Sequence, residues 1–170
     1  PKAALHSVAG ESTFELWNQI RTACDKGSRT SIHQSHRLRS AFVSHAVQDE
    51  EVIHRSIEYL RRFYQADIFS CADSIQSGTA WQNEIVANLR DRDLFVLILT
   101  EASFRSTFCA FELGYAMSLG KPIAQISLGG VRPPAFAQHL QMSEVDRLRQ
   151  RKPWLDSEEA LLESLLHILS

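Results

Sequence analysis

The chain has no closely spaced cysteine pair, no glycine-rich phosphate loop, no long apolar run and no marked excess of either charge. Each absence removes a class of protein. Cys24, Cys71 and Cys109 are odd in number, widely spaced and without a C-x-x-C pair, which fits neither a disulfide framework nor a zinc site and points to a reducing, cytoplasmic compartment. The longest unbroken aliphatic and aromatic stretch is Leu94 to Leu99, against the ~20 residues needed to cross a bilayer. Residues 1–30 contain no hydrophobic signal core, so no membrane partner is expected. A net charge of -2 and a pI near 6.4 give no electrostatic case for nucleic acid. Neither G-x-G-x-x-G nor G-x-x-x-x-G-K-[ST] occurs, which disfavours an ordinary Rossmann dinucleotide site and a P-loop alike.

What remains is 170 residues, 44% hydrophobic, enough for one domain with a proper core. From Ala41 to Leu128 short apolar runs alternate with longer amphipathic ones, the pattern of parallel strands joined by crossover helices, hence an α/β sandwich. The spacing predicts strands at Ala41–Ser44, Ala66–Ser70, Leu94–Thr100 and Pro122–Ser127, with a further edge strand near His139–Met142. It predicts helices near Asp49–Tyr64, Thr79–Arg90 and Thr107–Leu119, and a closing one over Asp156–Leu169. Val52, Ile53, Ile57, Leu60 and Tyr64 form the first helix's packing stripe. Asp49 is placed to cap that helix, Gly120 to stop the third, and Asp156 or Ser157 to cap the last.

Residues 1–39 stand apart from the domain of residues 40–170. Ser12 and Glu15 make a capping box before an appended helix from Phe14 to Ala23, and the stretch from Asp25 to Ser40 reads as a basic linker. His33 and His36 find no third ligand there, so no metal is expected.

Glu112 is the only charged side chain between Arg105 and Lys121, set in the run Phe108-Cys109-Ala110-Phe111-Glu112-Leu113-Gly114-Tyr115. An unpaired buried charge costs several kcal/mol at the least. The carboxylate therefore meets a basic partner such as Arg105 or Lys121, reaches solvent, or faces a cleft where a ligand serves it. In an open parallel sheet the crevice lies outside the carboxyl ends of the strands, where the order reverses. With the common order 2-1-3-4-5, Ser44-His45-Ala46 and the stretch from Thr100 to Thr107 face each other across it, and Glu112 follows in the next helix. The loop from Ser70 to Trp81 is long for this class and reads as a lid or binding loop.

Phe42-Val43-Ser44-His45-Ala46 with Asp49, Gly78-x-x-Trp81, Asp93 before an aliphatic strand, Ser106-Thr107-Phe108-Cys109-x-x-Glu112-Leu113 and Gly120-Lys121-Pro122-Ile123 together resemble a TIR (Toll/interleukin-1 receptor) domain. The resemblance covers about Ser40 to Gly130, extends loosely to the last helix and omits the first 35 or so residues.

The resemblance implies a flavodoxin-like three-layer sandwich with five parallel strands. In the enzymatic, bacterial branch it implies cleavage of the nicotinamide–ribose bond of NAD, with NAD as substrate and no further cofactor, in immune or anti-phage defence signalling. Glu112 matches the catalytic glutamate. Ser44, His45 and Ala46 match the loop lining the nucleotide site, and Asp73 to Gly78, with Trp81 after it, matches the BB loop. Phe108 replaces a frequent tryptophan and keeps an aromatic wall, and Cys109 packs beneath the site. Self-association through TIR–TIR contacts, with other TIR or sensor proteins as partners, is implied as well. Two further readings stand beside the enzyme: a non-catalytic TIR scaffold, and a nucleoside deoxyribosyltransferase-like enzyme indifferent to NAD.

Overall fold

The computed structural model describes residues 38–70, 80–153 and 156–170. The appended helix expected over Phe14–Ala23, the linker before residue 38, and Asp73 and Gly78 lie outside the described residues.

Residues that are apolar at nearly every position form the centre of the molecule, as burial on both faces requires. Strand β1 is Ala41–Ser44 and β3 is Leu94–Leu99, every residue of both buried. Strand β2 is Ile68–Ser70, β4 is Ile123–Ser127 and β5 is Gln141–Glu144. Among the described residues these make one five-stranded sheet in the order β2-β1-β3-β4-β5, parallel at every pairing. The fold is thus the flavodoxin-like arrangement expected from the sequence.

Helices α1 (Glu50–Tyr64) and α2 (Ala80–Asp91) follow β1 and β2 in the chain. After β3 come α3 (Glu101–Arg105) and α4 (Thr107–Ser118), and after β5 come α5 (Val145–Arg151) and α6 (Ser157–Leu169). Alternation along the strands divides the core. Ala41, Val43, Val96 and Ile98 pack with Ile53 and Ile57 of α1 and Leu161 and Leu165 of α6. Phe42, Phe95, Leu97 and Leu99 point the other way, toward Ile85 and Leu89 of α2 and Leu113 of α4. The same alternation assigns Ser44 to the α4 side, which is what lets it reach a residue of that helix.

Several boundaries move from their expected places for local reasons. Strand β2 begins at Ile68 rather than Ala66, because Gln65 ends α1 in a left-handed conformation (φ 52) and Ala66 still donates back to the Leu60 carbonyl. Val52 is 37% exposed and sits at the rim of the stripe. Asp49 does not make the expected side-chain cap to α1, because it ends a 3-10 turn (Val47–Asp49) and its backbone is not extended. Strand β5 lies two residues later than expected, its register set by pairing of Gln141 with Ala124 and Glu144 with Ser127. Gly120 (φ 64) closes α4 and Asp156 caps α6 in a reciprocal capping box with Glu159, both as the sequence indicated.

Phe42 is fully buried, its ring 5.8 Å from that of Phe95 and 5.2 Å from that of Phe69. Phe42→Ala is expected to remove about 3–5 kcal/mol of stability, measured as a lower urea midpoint at unchanged slope.

Candidate functional site

The carboxyl ends of β1 and β3 carry the side chains that converge on Glu112. Ser44, the last residue of β1, is completely buried, and His45 and Ala46 after it are 7% and 2% exposed. Ser106 caps α4, its Oγ accepting the Cys109 N–H at 3.2 Å, so the helix starts at a fixed residue. Cys109, Glu112, Leu113 and Ala116 then form its buried stripe. Glu112 is 1% exposed, and the Ser44 hydroxyl donates to its Oε2 at 2.5 Å.

Of the fates open to Glu112 in the sequence, solvent exposure is eliminated. The two basic residues considered for it are engaged elsewhere: Arg105 pairs with Glu101 at 3.2 Å, and Lys121 Nζ reaches the carbonyls of Arg90 and Arg92 at the end of α2. What the structure supplies instead is a serine from a strand 68 residues away.

Cys109 lies beneath this pair. Burial pushes its thiol up from the ordinary range, hydrogen bonding to Ser106 and Ser44 opposes this, and the Glu112 and Asp49 carboxylates add to the rise. Cys109 packs in the apolar cluster with Leu97, Leu113 and Ala116. Phe108, 37% exposed, stands at the open start of α4. Trp81 is in the first turn of α2, its side chain outside the described residues, as are Asp73 and Gly78. The structure therefore brings together Ser44, His45, Ala46, Cys109 and Glu112. It also joins Asp49 and Thr100 by a hydrogen bond across the strand ends, a contact the sequence did not indicate.

A cleft of about 410 Å³ opens at the same end of the sheet, on the α1 side, lined by Asp49, Thr100, Glu101, Leu128 and Asp146 among others. Its acidic rim suits a pyrophosphate poorly. Among the described residues no group of three His, Cys, Asp or Glu side chains could hold a metal, and no helix is long and apolar enough to cross a membrane.

A doubly wound parallel sheet with a buried carboxylate beside its topological switch point defines an α/β protein of the flavodoxin-like class with a candidate ligand site at the strand ends. The TIR domain family model matches residues 41–166, and the chain belongs to that family. No curated protein sequence matches it. Among solved structures, the TIR domain of a Toll-related receptor from Hydra magnipapillata is similar at 14% identity and TM-score 0.58, over 75% of this chain and 98% of that one. A CMP N-glycosidase of Clostridium botulinum is similar at 15% identity and TM-score 0.50, again over 75% and 98%. A 2-desoxiribosyltransferase of Leishmania mexicana is similar at 20% identity and TM-score 0.44, over 61% of this chain and 74% of that one. The first two show the fold.

Two measurements follow from this geometry. Ser44→Ala leaves a buried carboxyl oxygen without its hydroxyl donor and is expected to cost about 2 kcal/mol in chemical denaturation. The Cys109 thiol is held protonated in the fold above the pH at which the unfolded thiol ionises, so the native state binds more protons and stability falls as pH rises through that window. Above pH ~8.5 the wild-type protein should lose stability with pH more steeply than Cys109→Ala, and parallel curves would refute the thiol's part.

Proposed function

We propose that this TIR domain is an NAD nucleosidase in which Glu112 is the catalytic carboxylate. The observation that carries the reading is a buried glutamate held by Ser44 at the crevice end of the sheet, and the motif resemblance matches it to the family's catalytic residue. The C–N bond between ribose and nicotinamide breaks heterolytically. The bonding pair leaves with the pyridinium ring, which becomes neutral nicotinamide, and the ribose is left as an oxocarbenium-like cation. A carboxylate beside the ribose stabilises that charge, and nicotinamide departs without a proton, so no second carboxylic acid is required. Water then adds at the anomeric carbon and loses a proton to give ADP-ribose. Attack by an adenine nitrogen instead gives a cyclic ADP-ribose isomer. The N-glycosidase neighbour supports this through the fold alone.

Glu112 at 1% exposure touches a ribose only when the covering of the site moves or is replaced. Assembly with further copies supplies such a change, so turnover per molecule should rise with protein concentration. The same burial favours a second reading, a scaffold in which Glu112 serves only the fold and the domain acts by docking other TIR domains.

Chromatography with mass detection of nicotinamide, ADP-ribose and cyclic isomers separates the two. Wild-type protein at high concentration should release nicotinamide, and Glu112→Gln, which keeps the shape and an acceptor for Ser44, should lose at least ~100-fold while melting near the wild type. Absence of turnover in a demonstrably assembled wild-type protein would leave the scaffold reading.

A further inference from the structure

We propose that Asp49 and Thr100 are positioning residues for Glu112, their hydrogen bond closing a ring of contacts that fixes the carboxylate against Ser44. The activity arm of this proposal rests on the nucleosidase reading above, whereas the structural arm does not.

Thr100, 9% exposed, ends β3 and opens α3. Its Oγ1 accepts the Ser103 N–H at 3.0 Å, so its one proton is free to go to Asp49 Oδ2, at 2.5 Å. Ser103 Oγ in turn accepts the Thr100 N–H at 2.8 Å and donates to the Thr100 carbonyl at 3.1 Å.

Asp49 ends the single 3-10 turn Val47–Asp49 that leads into α1, and with φ -98 and ψ 0 its backbone is not extended as a capping residue's is. Its side chain instead reaches a residue 51 positions away, a contact set by the tertiary structure.

From Thr100 the contacts run in steps of three residues to the carboxylate. Ser106 donates its N–H to the Ser103 carbonyl at 3.1 Å, Ser106 Oγ accepts the Cys109 N–H at 3.2 Å, and Cys109 and Glu112 share the buried face of α4. On the other arm the Asp49 N–H reaches the Ala46 carbonyl at 2.9 Å, two residues after Ser44. The Ser44–Glu112 bond closes the ring. Helix α3 is five residues long, too short to hold itself, so its caps and packing set where α4 begins. Without the Thr100 hydroxyl, α3 loses its clasp and the first turn of α4 shifts. A displacement of about 1 Å at a catalytic group costs roughly 100-fold in rate.

The test compares Thr100→Val, Thr100→Ser and Asp49→Asn with wild type, and uses Arg105→Gln as a surface control. Two quantities are read: kcat and KM for NAD at assembling concentration, and the iodoacetamide alkylation rate of Cys109, followed on its own peptide by mass. Thr100→Val should lower kcat about 100-fold with KM within about threefold, and alkylate Cys109 about tenfold faster. Thr100→Ser, which keeps the hydroxyl, should restore both to within about threefold of wild type. Wild-type kcat and Cys109 protection in Thr100→Val would overturn the proposal, as would a Thr100→Ser protein as impaired as the valine variant. Should Thr100→Val fail to fold, Asp49→Asn decides through an expected loss of about tenfold in kcat, wild-type kcat overturning the clasp. If wild-type protein releases no nicotinamide, the nucleosidase reading falls by itself, and Cys109 labelling of the folded variants still settles the clasp.

Discussion

Burying the Glu112 carboxyl between α4 and the end of the sheet is costly, and the geometry around it answers that cost. The carboxylate sits at 1% exposure with a serine hydroxyl on Oε2, and three elements have to be in place for this to hold. Strand β1 must end at Ser44 with its side chain on the α4 side. Helix α4 must begin at Ser106 so that Glu112 falls on the inner stripe. Strand β3 must deliver the chain from one to the other, which it does beside β1 with Ser44 opposite Leu97. A slip of one residue in either strand would turn Ser44 away and leave the charge to be desolvated without that donor.

The apolar core and the polar corner depend on each other. Phe42, Leu97 and Leu99 pack with Leu113 and Cys109 and hold α4 against the sheet, while Ser44, Thr100, Ser103 and Ser106 supply hydrogen bonds where the strands end. Apolar burial provides most of the stabilisation but no direction. The hydroxyls provide direction. Asp49 illustrates this, since its side chain binds Thr100 across the strand ends from the last residue of the turn that leads into α1.

These constraints bear equally on the enzyme and the scaffold. A glutamate held in one rotamer by a buried hydroxyl is preorganised, which suits transition-state stabilisation, and it is also shielded, which suits a domain that is silent until assembled. The raised Cys109 thiol fits either reading, because its burial removes it from chemistry and leaves it as packing.

Much of this was legible in the sequence. The runs Ala41–Ser44 and Leu94–Leu99 were readable because strands buried on both faces are apolar throughout, and Glu112 because it was a charge in an apolar helix. The polar edge strand Gln141–Glu144 and the short helices α3 and α5 were hard to place, since Gln-Met-Ser-Glu carries no alternating pattern and helices of five and seven residues carry too few turns for periodicity. The sequence by itself determined the layers and the strand order's plausibility, and singled out Glu112 as the charge that needed an explanation, because those depend on local pattern and composition. Only the tertiary structure decided that Ser44, and neither Arg105 nor Lys121, meets Glu112 at Oε2, and that Asp49 binds Thr100 instead of its own helix. Those contacts span 68 and 51 residues, and no local preference encodes a hydrogen bond that exists only once the sheet has set its register.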